Sequence, residues 1–207
     1  MKTKKTTAIQ ALVLLALSLT LAFTACSKSG GGGSSGGGSV GGGGDKSLNS
    51  ATELKEYLDQ QPANSPGNPI KVAMKANDMM IKDIVEVLKN AGKYVSLDLS
   101  GSPLTEIPYR TFRRCTPLVD IIIPNGVTII GQEAFNECRN LTSVTIPNSV
   151  TSILGSAFYD TNLTSVTFQG EINIFFNTFP GDLEFYYFTG GPGTYTKAIG
   201  SDTWTKQ

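Results

Sequence analysis

The sequence predicts an α/β solenoid, a short array of stacked repeats that share one parallel sheet and one elongated core. Its second half repeats at an interval of 23 residues, since segment 118–124 recurs as 141–147 with Leu, Ile and Pro in the same places. Phenylalanine and cysteine recur at the same interval, at Phe112, Phe135 and Phe158 and at Cys115 and Cys138. A period of about 20 to 29 residues with Leu at set positions is typical of leucine-rich-repeat solenoids, whose units must stack to bury their apolar faces.

Residues 1–25 are predicted to be a secretory signal peptide. Three lysines form a positively charged start, an apolar stretch follows over 11–17, and small residues precede Cys26. A charged segment, an apolar segment and a small-residue cleavage site in this order are typical of export signals. Ser18 and Thr20 interrupt the apolar stretch, which favours a cleaved signal over a permanent transmembrane helix.

The segment Phe23-Thr24-Ala25-Cys26 resembles the lipobox of bacterial lipoproteins, in which the cysteine is diacylated and becomes the mature N-terminus. The resemblance implies that Cys26 is a lipidation site; an ordinary signal peptide followed by an incidental cysteine is the alternative. Residues 26–45 continue as a Gly/Ser-rich tether, in which no side chain favours an ordered conformation. Eighteen residues of such a chain span about 23 Å on average, which would hold a folded body clear of lipid headgroups.

Residues 46–93 are predicted to be an N-terminal cap. Ser50 and Glu53 match a capping box at the start of a first helix. Alternating apolar residues predict strands at 70–74 and 95–99 on either side of a second helix, and such a βαβ unit has parallel strands and a right-handed crossover. A separate functional domain is the alternative, but about 48 residues are few for independent folding, so a cap that covers the end of the solenoid core is favoured.

The repeats are predicted over residues 94–189. Alternation along each repeated strand places one set of side chains in the core and another on the outward face of the sheet. The predicted inward set is Leu97, Leu99, Ile121, Ile123, Val144, Ile146, Val166, Phe168, Tyr186 and Phe188. A second apolar set on the far side of the core is Phe112, Phe135, Phe158 and Phe179. Aromatic residues at repeat spacing indicate packing, so no functional role is assigned to them.

Residues 190–207 are predicted to be a C-terminal closing segment. The sequence favours a last strand over 183–188, a turn over 190–193 and a returning strand over 194–196. Such a β-hairpin would cover the last repeat and blunt the open edge of the sheet.

The repeated pattern Leu-x-Ser-Val-Thr-Ile-Pro-x-Ser-Val-Thr-x-Ile resembles the BspA-like family of bacterial leucine-rich-repeat surface proteins. The match is close over 118–168, is recognisable over about 95–189 and contains three or four full repeats. The resemblance implies an exported protein at the bacterial outer membrane or cell surface. It also implies, as in some members, binding to host matrix proteins or to other bacteria.

Several kinds of chemistry have no residues to support them. The chain contains no histidine, which removes the commonest general base and the commonest transition-metal ligand. Without residues 1–25 it carries 14 basic and 17 acidic residues, a net charge of −3, and it has no Lys/Arg-rich stripe of the kind that binds nucleic acid. No phosphate-binding loop or calcium-binding loop is recognisable. We therefore predict no enzyme activity, no cofactor, no metal site and no nucleic-acid partner.

Paired carboxylates are the remaining route to catalysis. Asp98 and Asp120 are predicted on adjacent strands, offset by two residues on the same face, and a diagonal separation of about 7–8 Å would suit an inverting glycosidase. A flat strand face offers no pocket for a sugar and no desolvation of either acid. Two solvated acids on a polar face are the favoured interpretation.

Cys115 and Cys138 occupy equivalent positions on neighbouring repeats. Stacked positions lie about 5 Å apart, within reach of a disulfide, and an exported protein meets an oxidising compartment. Side chains on stacked turns point in parallel, however, so buried thiols that act as small hydrophobes are favoured over a bridge.

The outward face of the sheet is the predicted binding surface. Its first row is Asp98, Ile122, Thr145, Thr167 and Tyr187, and its second row is Ser96, Asp120, Ser143, Ser165 and Phe185. Ile122, Phe185 and Tyr187 are the candidate anchors of an interface, although a C-terminal hairpin could simply cover the two aromatic residues. The predicted function is a lipid-anchored cell-surface protein that mediates protein–protein interaction or adhesion; a periplasm-facing envelope structural lipoprotein without an adhesive role is the alternative.

Overall fold

The computed structural model describes residues 47–207, which form a solenoid of about five turns built on a parallel sheet. The predicted leucine-rich-repeat fold is confirmed. The predicted signal peptide, Cys26 and the tether lie outside the described residues. Within the described part of the chain, no helix has both the length and the apolar character needed to cross a membrane.

The secondary structure follows the chain as three helices and eleven short strands within residues 47–207. The helices are α1 (Ala51–Asp59), α2 (Ile81–Asn90) and α3 (Leu183–Gly190). The strands are β1 (Ile70–Ala73), β2 (Val95–Asp98), β3 (Glu106–Ile107), β4 (Leu118–Ile122), β5 (Ile129–Ile130), β6 (Ser143–Ile146), β7 (Ser152–Ile153), β8 (Ser165–Phe168), β9 (Asn173–Ile174), β10 (Gly193–Thr196) and β11 (Thr205–Lys206).

Helix α1 begins with the predicted capping residues. The Ser50 hydroxyl accepts a hydrogen bond from the Glu53 amide at 3.1 Å, and the Glu53 carboxylate accepts one from the Asn49 amide at 2.9 Å. The reciprocal bond of a capping box therefore reaches one residue further back than usual. Leu54 and Leu58 on the opposite face are fully buried, so the helix is stabilised by packing as well as by its cap.

The βαβ unit of the cap is confirmed. Strand β1 pairs in parallel with β2, and α2 connects them. Gly92, just beyond the end of α2, has φ = 60°, the left-handed conformation in which helices commonly end. The cap thus adds its own strand to the sheet of the repeats.

Each repeat contributes one strand to each of two sheets. The larger sheet has the order β1-β2-β4-β6-β8-β10-β11, parallel from β1 to β8 and antiparallel at β10 and β11. The smaller sheet consists of the two-residue strands β3, β5, β7 and β9, all parallel. The core lies between these two sheets and contains the inward side chains of both.

The predicted inward residues of the first four repeated strands are buried. Their exposed fractions are at most 3% for Leu97, Leu99, Ile121, Ile123, Val144, Ile146, Val166 and Phe168. The predicted aromatic set forms a continuous stack in the order Phe112, Phe135, Phe158, Phe179, with ring centroids 5.0, 4.9 and 4.9 Å apart. Nearly parallel rings at this spacing add a specific attraction to the area that they bury.

The prediction of a strand over residues 183–188 is wrong, because this segment is helix α3. Leu183 and Tyr187 lie four residues apart on one face of the helix and are buried against the last turn. Tyr186 is half-buried and Phe188 is 67% exposed, so neither takes the inward position that a strand would have given it. A short apolar run does not distinguish a strand from a helix by its periodicity.

The C-terminal segment closes the solenoid with a hairpin, but its strands differ from those predicted. Strand β10, which contains the predicted returning strand, pairs antiparallel with β8 on one side and with β11 on the other. Trp204, just before β11, is 1% exposed, and its indole N–H donates to the Pro180 carbonyl oxygen at 2.8 Å. Tyr195 is fully buried beside Phe168. The aromatic core therefore continues into the closing hairpin.

Cys115 and Cys138 are free, fully buried thiols, as predicted. The Cys138 thiol donates to the Phe112 carbonyl oxygen at 2.9 Å. Burial raises the pKa of Cys115 to about 12 and also raises the pKa of Cys138, because the thiolate is disfavoured away from water.

We expect neither buried thiol to react with iodoacetamide at pH 8 in the folded fragment 45–207, because thiolate is scarce and the sulfur atoms are inaccessible. Unfolding in urea without reductant should add two alkyl groups, which intact-mass measurement would detect. A fragment that gains no adduct after unfolding would instead contain a disulfide and contradict this prediction.

Candidate functional site

The outward face of the larger sheet carries the predicted rows over four strands. In the first row Asp98 pairs with Ile122, which is followed by Thr145 on β6 and Thr167 on β8. In the second row Ser96, Asp120, Ser143 and Ser165 lie in register. Strand β10 extends both rows, since Thr194 lies opposite Thr167 and Thr196 lies opposite Ser165. The face therefore presents hydroxyl groups on one half and two carboxylates on the other.

Phe185 and Tyr187 do not belong to these rows, which corrects their predicted placement. Both lie in α3, where Phe185 is 65% exposed and Tyr187 is 3% exposed. The Tyr187 hydroxyl accepts a hydrogen bond from the Ile172 amide at 2.8 Å and donates one to the Gly170 carbonyl at 3.2 Å. Burial raises the pKa of Tyr187. Its contacts are those of a packed residue that fastens α3 to the last turn.

The polar groups of the sheet face are linked to one another. Asp120 accepts hydrogen bonds from the hydroxyls of Ser96 and Ser143, each at 3.3 Å. Asp98 accepts one from the Ser100 amide at 2.8 Å. Each carboxylate oxygen has further lone pairs, so both acids remain able to accept hydrogen bonds from a partner.

Ile122 is the exposed apolar residue on this face. Its side chain is 48% exposed, and it lies beside Asp98 on the neighbouring strand and two residues from Asp120 on its own strand. An apolar residue within a polar surround is the arrangement found at the energetic centres of protein interfaces. An apolar side chain of a partner can pack on Ile122, while a cationic or hydroxyl group next to it donates hydrogen bonds to Asp98 or Asp120.

A ladder of ion pairs on the turns was not anticipated from the sequence. Arg110 donates to both carboxylate oxygens of Glu133 at 2.8 and 2.9 Å, and Arg114 lies 2.9 Å from Glu137. Arg139 and Asp160 pair at 2.6 Å on the following turn. The partners are separated by 23, 23 and 21 residues, close to the repeat interval, and this spacing was the feature of the sequence that could have revealed them.

The arginine and carboxylate groups of the ladder pair with one another. The guanidinium groups of Arg110 and Arg114 hold the pKa values of Glu133 and Glu137 below their usual range, because they donate hydrogen bonds to the ionised carboxylates. Ion pairs that are exposed to solvent contribute little to stability, because water and salt screen the attraction. Because the charged groups of the ladder already have partners, the outward face of the larger sheet is the better candidate for a protein-binding surface.

The acidic residues in the described part of the chain are not arranged as metal ligands. Among residues 47–207, no three Cys, Asp or Glu side chains come together as metal ligands. Asp98 and Asp120 lie on neighbouring strands of an open face, offset by two residues as predicted. The surroundings of these two acids are those of solvated, hydrogen-bonded residues.

The chain is similar to known repeat proteins. Residues 93–184 match the family model described as a BspA type leucine-rich-repeat region, in six copies, where the spacing had predicted three or four full repeats. The crystal structure of a leucine-rich-repeat protein from T. pallidum, TpLRR, is also similar, with 19% identity and a TM-score of 0.32. That match covers 58% of this chain and 65% of the T. pallidum protein. The comparison with curated proteins found no match.

Repeats of this type form a non-catalytic scaffold, and leucine-rich repeats generally bind proteins. Proteins that carry BspA-type repeats are typically exposed at the surface.

Proposed function

Because residues 93–184 make this chain a leucine-rich-repeat protein of the BspA type, we propose that it is a lipid-anchored cell-surface protein that mediates protein–protein interaction or adhesion. In this proposal Cys26 carries the lipid, and residues 26–45 form the tether that holds the solenoid away from the headgroups. The outward face of the larger sheet then binds a protein partner, either a host matrix protein or a protein on another bacterium.

The observation that carries the proposal is the open sheet face with Ile122 near its acidic side. Five neighbouring strands, β2, β4, β6, β8 and β10, present small polar side chains that leave the surface accessible. Most of these polar side chains would match the shape and hydrogen-bonding groups of a partner without adding much binding energy. Ile122 supplies apolar surface that a partner can bury. Asp98 and Asp120 add negative charge next to it, which favours a partner whose apolar contact residue is flanked by Lys or Arg.

We expect Ile122→Ser to weaken capture of the protein partner about tenfold, the usual cost of truncating an interface anchor. The fragment 45–207 would be immobilised and exposed to purified host matrix proteins and to whole bacteria. Ile129→Ser is the matched control, because Ile129 is 37% exposed in the same repeat but lies on the smaller sheet. Equal capture by the two variants would contradict the proposed binding face, provided that both melt at the wild-type temperature.

A further inference from the structure

A cleft of about 720 Å³ lies at the C-terminal end of the solenoid, away from the rows of the sheet face. One wall is the turn 159–164 that leads into β8, and the other is the loop 197–202 between β10 and β11. Its volume is in the range of sites for small ligands, about 300–1,000 Å³. The cleft exists because the antiparallel strand β10 brings the closing hairpin alongside the last parallel strand.

Both walls are fixed in place by hydrogen bonds. The Lys197 amide donates to the Thr164 carbonyl at 3.0 Å, and the Asp182 amide donates to the Asp202 carbonyl at 3.1 Å. The Trp204 amide donates to the Asp182 carboxylate at 2.9 Å, which holds the loop from its other end. Because these hydrogen bonds already order the two walls, ligand binding costs little further conformational entropy of the protein.

Gly181 allows this close approach of the loop. Its φ is +75°, and a Cβ atom at this position would overlap the carbonyl oxygen of Asp202. Glycine is therefore required here for two separate reasons, the left-handed backbone and the contact. A side chain at position 181 would therefore push the loop away from this wall of the cleft.

Two exposed apolar side chains line the cleft. The Tyr159 ring is 53% exposed, and Ile199, at the tip of the loop, is 94% exposed. An Ile side chain with almost its whole surface in water contributes little to folding. Together the two residues offer a flat ring and an aliphatic group to a ligand that enters from solvent.

The cleft also contains polar side chains that are free to bind a ligand. Within residues 47–207, Asn177, Lys197 and Asp202 make no side-chain hydrogen bond, and the Tyr159 hydroxyl makes none. The Lys197 ammonium lies 5.4 Å from the centre of the Trp204 ring, a contact that positions it without using its donors. These side chains therefore offer a ligand a carboxylate that accepts hydrogen bonds, an ammonium group that donates them, and an amide and a hydroxyl that can do either.

This combination favours a sugar over an extended peptide. An extended peptide that adds to a sheet edge is held mainly by free backbone groups of the receptor, but here the amides of Lys197 and Ser201 and the carbonyl of Asp202 are already bonded. A sugar needs an exposed aromatic ring to cover one of its faces and side chains that exchange hydrogen bonds with its hydroxyls. The charged residues of the lining are Lys197, Glu184, Asp202 and Asp160, and Asp160 pairs with Arg139, so the cleft has no excess of positive charge that would favour an anionic ligand. We propose that the cleft between residues 159–164 and 197–202 binds a neutral oligosaccharide.

The test is a titration of the full chain, purified in a detergent without a sugar headgroup. The probes are neutral oligosaccharides of glucose, galactose, mannose or N-acetylglucosamine, added to about 10 mM so that a Kd near 1 mM is detected. We expect at least one of them to bind and to shift NMR resonances of residues 159–164 and 197–202. Tyr159→Ala and Asp202→Ala should each weaken that binding about tenfold.

Tyr109→Ala is the matched control, because Tyr109 is 55% exposed on an earlier turn and contacts Arg110 instead of the cleft. It should bind the oligosaccharide with the wild-type Kd, as should Ile122→Ser on the sheet face. The inference is overturned if none of the oligosaccharides binds. It is also overturned if Tyr109→Ala and Tyr159→Ala weaken binding equally.

Discussion

Replacing Phe135 with alanine is expected to lower the free energy of unfolding by about 3–5 kcal/mol, the range for a large aromatic residue removed from a packed core. Phe135 is fully buried and stacks on both Phe112 and Phe158, so its loss leaves a cavity and removes two ring contacts. In a body of this size the melting temperature should fall by roughly 10 °C. Thermal and urea denaturation of the fragment 45–207 would measure both quantities.

Two matched variants separate the causes of this loss. Phe112→Ala removes an equally buried ring that stacks on Phe135 alone, so its effect should be smaller by about 0.5–1.5 kcal/mol, the value of one ring contact. Phe176→Ala, at 94% exposure, should change stability by at most about 0.5 kcal/mol. If Phe135→Ala destabilises no more than Phe176→Ala does, the aromatic stack is not the centre of the core.

The sequence predicts the repeated part of the fold because one rule applies to every turn. Once the strand starting at Leu118 is aligned with its copy at Leu141, alternation fixes which side chains point inward, and the 23-residue interval fixes which of them stack. The observed pairing of Asp120 with Ser143 and of Ile121 with Val144 is that predicted register. A shift by one residue would turn every core side chain towards water, so the register has no close competitor.

The prediction fails where the repeat ends. Residues 183–188 contain apolar residues at both helical and strand spacing, and the preceding repeats favoured a strand. The deciding contacts lie outside the segment itself: the Ile172 amide donates a hydrogen bond to the Tyr187 hydroxyl at 2.8 Å, and the Phe179 amide donates one to the Glu184 carboxylate at 3.0 Å. The spacing of Leu183 and Tyr187, followed by glycines, was the local indication of a helix.

The two candidate sites differ in the same way: one lies on the repeated strands and the other lies where the repeats end. The rows that contain Asp98 and Ile122 were predictable because they lie on repeated strands. The cleft was not, because Tyr159 and Asp202 are 43 positions apart and line the same cleft only because β10 pairs antiparallel with β8. The cleft therefore depends on where the closing hairpin packs, which the repeat pattern does not predict.

Replacing Cys26 with serine is expected to abolish stable membrane association, the second large effect. Lipoprotein processing requires the cysteine thiol, so the variant should accumulate as a precursor that keeps residues 1–25. If Cys26 is lipidated as proposed, the two or more acyl chains of the wild type exceed the marginal hold of a single chain, and only detergent should extract the protein. Cell fractionation and the intact mass of the extracted protein would measure both results.

Ser29→Ala is the control for this substitution, because it changes one side chain close to Cys26 without changing the proposed lipidation site. It should be processed and retained like the wild type, because Ser29 lies outside the lipobox-like segment 23–26. Protease added to intact cells should cleave the tether over 27–44 if the body is exposed outside the cell, whereas complete protection would support the periplasm-facing alternative. Mature wild-type protein that is soluble in aqueous buffer with Cys26 unmodified would refute the anchor, because no other part of the proposal accounts for retention at the membrane.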